Sequence, residues 1–265
     1  MRTNPVKGIL RSGKSSFGTW LSLGDLYATR MLARMGFDWL TLDLEHSPID
    51  WSQAAMIFGA VADAGCVPLA RVPKGNHDYI KRVLDAGAWG IVVPMVDTLE
   101  QAKVAVRAAK YPPQGNRSLG GGMHAINFGT TAGEYYKKAN DEILVVLQTE
   151  SPTGVANAEE IYALPGVDAI FVGPVDLRAN MRSPDGREAS DAEFEDLLAR
   201  VVAAGKKTGT PTGMHTMDPQ AALARSVQGM QFIAVGSDLR FMTQRAQETL
   251  RAVRPETGDK DLARY

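Results

Sequence analysis

The sequence predicts a single (β/α)8 barrel, and three observations predict it. Eight short apolar runs are spread along the chain, and most are apolar throughout. Helix-length segments with apolar residues three and four apart lie between them. The length, 265 residues, suits one such barrel, which commonly takes about 250. Continuous apolar runs fit strands covered on both faces, as in a parallel sheet wrapped by helices.

The predicted strands are residues 17–21, 39–44, 67–72, 91–95, 143–148, 169–173, 211–214 and 232–235. Leu26, Met31, Leu32 and Met35 form one apolar helical stripe, and Ile80, Val83 and Leu84 another. Phe194, Leu197, Leu198 and Val201 form a third. Gly36, Gly65, Gly87, Gly166 and Gly229 stand where helices should end in a left-handed residue. Asp218-Pro219 reads as an N-cap followed by proline at the first helical position. Two connections are long. One, over 111–142, contains Gly120-Gly121-Gly122, and the other, after Gly173, contains the polar stretch 182–191. Both are expected as loops or short helices at the barrel mouth. The domain is expected to span 1–265, with a fraying polar tail at about 255–265. An open doubly wound sheet is the rival architecture. No Gly-x-Gly-x-x-Gly and no Gly-x-x-x-x-Gly-Lys-Ser/Thr accompanies it, so neither a dinucleotide nor a nucleoside triphosphate is indicated.

Composition excludes several functions. Lys+Arg total 29 against Asp+Glu 30, which lacks the basic excess of a general nucleic-acid binder. Cys66 is the one cysteine, so there is no intrachain disulfide framework and no cysteine cluster for zinc; a small buried hydrophobe is expected there. Runs such as 91–96 fall far short of the roughly 18 to 20 residues of a spanning helix. Residues 1–7 carry charge with no apolar stretch behind them, and a cytoplasmic location is expected.

Catalytic groups of such barrels project from the C-terminal ends of strands. Here those ends carry Asp43-Leu44-Glu45-His46, Arg71, Gln148-Thr149-Glu150 and Gly173-Pro174-Val175-Asp176. Glu150 and Asp176 read either as N-caps of the following helices or as ligands. Two carboxylates without His or Cys suit a hard cation such as Mg2+ or Mn2+, completed by water and substrate. Gln148 shares a strand face with Glu150 and could bond a metal-bound water or ligand. His46 is the natural base because histidine titrates near neutrality, and Asp43 could fix its tautomer. Arg71 offers a planar fork for a carboxylate or enolate. His77 reads as surface. His124, Arg178 and His215 are candidates for contacting an acceptor at the mouth, each with an equally plain structural role open to it.

The segments 38–48 (Asp-Trp-Leu-Thr-Leu-Asp-Leu-Glu-His-Ser-Pro), 111–117 (Tyr-Pro-Pro-Gln-Gly-Asn-Arg) and 172–177 (Val-Gly-Pro-Val-Asp-Leu) resemble the HpcH/HpaI family of class II pyruvate aldolases. So do 80–87 and 94–98, and the resemblance runs in order from about Phe17 to Asp238. It implies one divalent metal per subunit on Glu150 and Asp176, Mg2+ or Mn2+ with Co2+ a further candidate. It also implies a 2-oxo acid held beside Arg71, Gln148 and the Gly173-Pro174-Val175-Asp176 turn, and a His46–Asp43 pair as base. Asp85 would come from a neighbouring subunit of a hexamer, a trimer of dimers that swap a last helix, here about 239–253.

The implied chemistry is reversible addition of a pyruvate or hydroxypyruvate enolate to an aldehyde, with cleavage of 4-hydroxy-2-oxo acids in reverse. No lysine falls inside a predicted strand, which weighs against a Schiff base. Three departures from the family's pattern, Ser118, Arg178 and Gly213-Met214-His215, are expected near the mouth and bear on the acceptor. Arg178 could recognise an acidic one. Rival readings are an oxaloacetate decarboxylase using the same enolate, a phosphosugar isomerase resting on Gly236-Ser237, and a barrel that only binds a ligand. Partners are expected to be small molecules, with neither nucleic acid nor membrane.

Overall fold

Each apolar run forms a strand. The computed structural model describes residues 1–255, and the expected polar tail lies almost wholly outside the described residues. The strands are β1 (Ser16–Leu21), β2 (Trp39–Asp43), β3 (Val67–Arg71), β4 (Gly90–Val93), β5 (Leu144–Thr149), β6 (Ala169–Val172), β7 (Thr212–Thr216) and β8 (Phe232–Ser237). All pair in parallel in sequence order, and β8 returns to β1, closing the barrel. Closure leaves no free edge and covers the Val- and Ile-rich runs on both faces.

Helix α1 (Pro5–Arg11) precedes the barrel. Helices α2 (Leu26–Leu32), α3 (Trp51–Asp63), α4 (His77–Asp85) and α5 (Leu99–Ala109) follow the first four strands. The long connection before β5 holds α6 (Met123–Asn127) and α7 (Ala132–Glu142). After β5 come α8 (Pro152–Ala156) and α9 (Ala158–Tyr162), and after β6 come α10 (Pro174–Asn180) and α11 (Asp191–Thr208). Helix α12 (Pro219–Val227) and α13 (Asp238–Val253) complete the ring. The expected glycine stops all have positive φ, from +83° at Gly65 to +106° at Gly87. Asp218 caps α12 through the Ala221 N–H, and Ser190 with Glu193 forms a capping box on α11; such caps each contribute about 1 kcal/mol.

The stripes of α4 and α11 pack inward as expected, with Ile80, Val83, Leu84, Phe194, Leu198 and Val201 buried. The first stripe does not. Leu26, Met31 and Met35 are exposed, and Thr29 is the buried residue of α2. Residues five apart on a helix point about 140° away from one another, and Met35 lies beyond the helix end, so these side chains never shared a face. Cys66 is buried as expected, and burial pushes its thiol up to about 12. Among the described residues no helix is long and apolar enough to cross a membrane.

Inside the barrel, aromatic rings make the floor on which the site rests. Trp39 stacks on Phe232 with centroids 4.2 Å apart, and Trp20 stacks on Phe171 at 5.0 Å. Two glycines make room for them. A Cβ on Gly18 would lie 2.1 Å from the Trp39 ring, and one on Gly213 would lie 1.6 Å from the Phe232 carbonyl oxygen.

Candidate active site

A pocket of about 200 Å3 opens at the C-terminal end of the barrel. Strand register builds its charged wall. Asp43 and Arg71 end β2 and β3 as direct partners, so the two side chains meet. Arg71 Nε and Nη2 donate to the two Asp43 oxygens at 3.0 and 2.6 Å, and Nη1 lies 3.2 Å from Glu45 Oε2. The guanidinium is thus held in one orientation by a bidentate pair, a geometry lysine cannot reproduce. Burial opposes its charge, but the Asp43 hydrogen bonds and charge outweigh that and raise its pKa. Asp43 Oδ1 also accepts the backbone N–H groups of Glu45 and His46 at 3.1 and 3.3 Å. Sequence analysis pairs Asp43 with the imidazole; in the structure its carboxylate holds the Arg71 fork and the turn that presents His46. The His46 ring is 45% exposed at the mouth, with Glu45 Oε2 3.8 Å from Nε2. Burial pushes the Glu45 carboxyl up, against the opposing charge of Arg71.

Glu150 and Asp176 form the facing wall. The N-cap alternative is removed for both. Ser151 caps α8, while Gly173 holds the N-cap position of α10 and Asp176 lies in the first turn. Glu150 is buried; Oε2 accepts the Met95 N–H at 3.0 Å and Oε1 accepts Gln148 Nε2 at 2.7 Å. Met95 donates from a left-handed backbone, φ +53°, which non-glycine residues seldom adopt. Burial pushes Glu150 up to about 7; the Met95 hydrogen bond opposes this and Asp176 adds to it. Gly173 is required beside it, since a Cβ there would lie 2.1 Å from Glu150 Oε1.

These residues fit a divalent cation. A desolvated carboxylate with a second carboxylate near it is stabilised by a positive ion, and oxygen donors suit Mg2+ or Mn2+. Gln148 Oε1 is buried with no hydrogen-bond partner, as expected of an oxygen that faces a ligand or its water. Among the described residues no three His, Cys, Asp or Glu gather around one point, so protein carboxylates alone would leave coordination positions open. Gly173→Ala is expected to weaken Mn2+ binding at least tenfold while the circular dichroism spectrum stays native. A Mn2+ titration followed by electron paramagnetic resonance checks it.

The remaining wall comes from β1, β6, β7 and β8. Trp20, Phe171 and His215 stack in series, with Trp20–His215 centroids 5.3 Å apart, and Ser22, Met217 and Ser237 complete it. His215 Nε2 lies 2.8 Å from the Gly236 carbonyl oxygen. A carbonyl only accepts, so Nε2 carries the proton and Nδ1 is left as an acceptor. Burial pushes the imidazole down to about 4, so the ring is neutral near pH 7.

Residues 16–244 match the HpcH/HpaI aldolase/citrate lyase family. The chain belongs to that family. A hydroxypyruvate/pyruvate aldolase of Paraburkholderia phytofirmans is 36% identical over 258 residues, covering 95% of this chain and 98% of that one. A 2-keto-3-deoxy-L-rhamnonate aldolase of Klebsiella pneumoniae is 38% identical over 245 residues, covering 91% and 90%. The crystal structure of an HpcH/HpaI aldolase/citrate lyase family protein from Burkholderia cenocepacia superposes with a TM-score of 0.85 at 37% identity, covering 95% and 100%. This HpcH/HpaI family member is a carbon–carbon lyase.

Within one chain the pocket gathers Asp43, His46, Arg71, Gln148, Glu150, Gly173, Pro174, Val175, Asp176 and His215. Three expected site residues lie elsewhere. Asp85 ends α4 and accepts Arg117 Nη2 at 2.7 Å, outside the pocket lining. His124 is fully buried beneath the ring of Tyr135, with centroids 4.3 Å apart, rather than at the mouth. Arg178 turns away from the pocket, because it lies two residues after pocket-lining Asp176, about 200° further round α10. It pairs with Asp191 at 2.7 Å and lies 4.0 Å over the Phe194 ring. Sequence reasoning missed Trp20, Ser22, Phe171 and Met217, and met Ser237 only in the phosphosugar alternative. Trp20 and Ser22, two apart at the end of β1, carry the alternation that could have found them.

Proposed function

We propose that the protein is a divalent-metal-dependent aldolase that adds the enolate of pyruvate or hydroxypyruvate to an aldehyde and, in reverse, cleaves 4-hydroxy-2-oxo acids. One observation carries the reading. The Arg71 fork, pinned by Asp43 and Glu45, shares a pocket with Glu150, Asp176 and the unpartnered Gln148 oxygen. The relative named hydroxypyruvate/pyruvate aldolase supports the choice of donor.

Glu150 and Asp176 would hold Mg2+ or Mn2+, with Co2+ a further candidate. When bound, such an ion supplies Lewis acidity at the 2-oxo group, which acidifies the C3 protons. The donor lies in this reading beside Gln148, Gly173, Pro174 and Val175. His46 accepts a proton as the C3–H bond breaks. Arg71 stabilises the enolate oxygen, and because two carboxylates already fix its orientation, little reorganisation is needed as that charge develops. The C3 electron pair then forms the bond to the aldehyde carbon as its carbonyl π bond breaks, and the resulting alkoxide takes the proton that His46 holds, which restores the base.

The reading includes a cytoplasmic hexamer, a trimer of dimers. Part-exposed Asp85, anchored by Arg117, would reach a neighbouring subunit's pocket. Helix α13 supports a swap, since Met242, Leu250 and Val253 are exposed on the single chain. The test is aldol addition of pyruvate to an aldehyde, followed by mass spectrometry. Product is expected with Mg2+, Mn2+ or Co2+ and at least 10²-fold less after chelation. Equal yields with and without metal would falsify metal dependence.

A further inference from the structure

A second cavity, of about 470 Å3, opens at the other end of the barrel, where the chain enters β6, β7 and β8. Lys7 and Arg11 of α1 line it together with Asp168, Thr210 and Gln231. The Lys7 side chain is 6% exposed; it pairs with Asp168 Oδ1 at 2.8 Å and donates to the Ile143 carbonyl at 3.1 Å. An ammonium carries three donors, so one is unspent. Asp168 is the one carboxylate lining the cavity among the described residues, and its Oδ2 already accepts the Val145 N–H at 2.9 Å. Arg11 is exposed and has no hydrogen bond or ion pair among the described residues. Lys110 is buried beside Lys7 and shares the Ile143 carbonyl, at 3.2 Å. Burial, reinforced by the charges of Lys7 and Arg11, pushes Lys110 down to about 8, against the pull of Asp168 and Asp141. Asp141 is exposed, so water screens it and three cations face one carboxylate. Two carbonyls near the end of α1 that would repel an anion are already bonded. Leu10 O accepts the Gly13 N–H and Gln231 Nε2, and Ile9 O accepts the Ser12 and Lys14 N–H groups.

We propose that this cavity binds a phosphate group, free or carried by a small phosphomonoester, between Arg11 and the unspent donor of Lys7. A dianion offsets the excess positive charge, and the Arg11 fork matches two phosphate oxygens. Lys7 and Arg11 belong to α1, whereas Asp168, Thr210 and Gln231 belong to the barrel. A bound phosphate therefore ties the helix to the strand entries and stabilises the fold by mass action. The site is separate from the catalytic pocket, and the inference does not rest on the aldolase reading.

The test titrates the full chain with inorganic phosphate, and separately with glycerol 3-phosphate, by isothermal calorimetry at constant ionic strength, with and without pyruvate. Saturable binding to wild type is expected, unaffected by pyruvate. Arg11→Ala should weaken it on the order of tenfold or more, the loss of a charge-assisted contact. Because Arg11 holds nothing in the structure, the variant should melt like wild type without phosphate and lose the rise in Tm that phosphate gives. Tighter binding of glycerol 3-phosphate than of phosphate supports an ester as the occupant, and equal binding supports free phosphate. Undiminished binding in Arg11→Ala overturns the proposal, as does binding that pyruvate displaces. So does wild-type protein that binds neither probe saturably.

Discussion

Glu150→Gln is expected to lower kcat/KM for aldol cleavage on the order of 10³-fold or more and to lose most of its Mn2+ affinity. The amide keeps the size of the side chain and can still accept the Met95 N–H, while its NH2 then faces Gln148, whose amide must flip to present Oε1. The wild-type pH dependence follows from the same carboxyl. Burial raises it to about 7, so below that pH a proton competes with the metal. Apparent Mn2+ affinity is therefore expected to fall as pH drops through about 7, by up to tenfold per unit, and to lose that slope in Glu150→Gln. Titrations between pH 5.5 and 8.5 measure both. A variant that binds Mn2+ as tightly as wild type at every pH removes Glu150 from the metal site.

Arg71→Lys separates enolate stabilisation from metal binding. Lysine keeps the charge but cannot span both Asp43 oxygens and Glu45 at once. A fall in kcat/KM of about 10²- to 10³-fold is expected, the range for removing one preorganised donor from a developing oxyanion. Mn2+ affinity should stay within about threefold, because Arg71 is not a metal ligand. Steady-state kinetics beside a Mn2+ titration separate the two quantities. Equal losses in both would mean that the fork acts on the metal site and not on the reacting oxygen.

Much of this was legible in the sequence because barrel strands are covered on both faces and end in their functional groups. The apolar runs located all eight strands, and the glycines at 36, 65, 87, 166 and 229 marked turns that need positive φ. Glu150 and Asp176 were legible as strand-end carboxylates, but the structure was needed to remove the capping alternative by assigning those positions to Ser151 and Gly173. The pairing of Asp43 with Arg71 depends on the register between β2 and β3, which neither strand encodes alone. Trp20 was hidden because an aromatic in an apolar run reads as core, and it is also core: the same ring stacks on Phe171 and lines the pocket. His124 misled because a histidine beside three glycines reads as exposed. Helix α6 turns it under Tyr135 instead. Arg178 misled because it stands only two residues after Asp176, and two residues along α10 turn a side chain to nearly the opposite side of the helix.

The most direct measurement is deuterium exchange at the methyl group of pyruvate in D2O, followed by proton NMR with no aldehyde present. Metal-stripped protein should be silent, and restoring Mg2+ should start exchange. His46→Ala should retain Mn2+ affinity and lose exchange, since the site that binds the ion would remain while the group accepting the C3 proton is gone. Undiminished exchange in His46→Ala contradicts the assignment of the base. Absence of exchange in metal-loaded wild-type protein, with pyruvate and with hydroxypyruvate alike, contradicts enolate formation altogether.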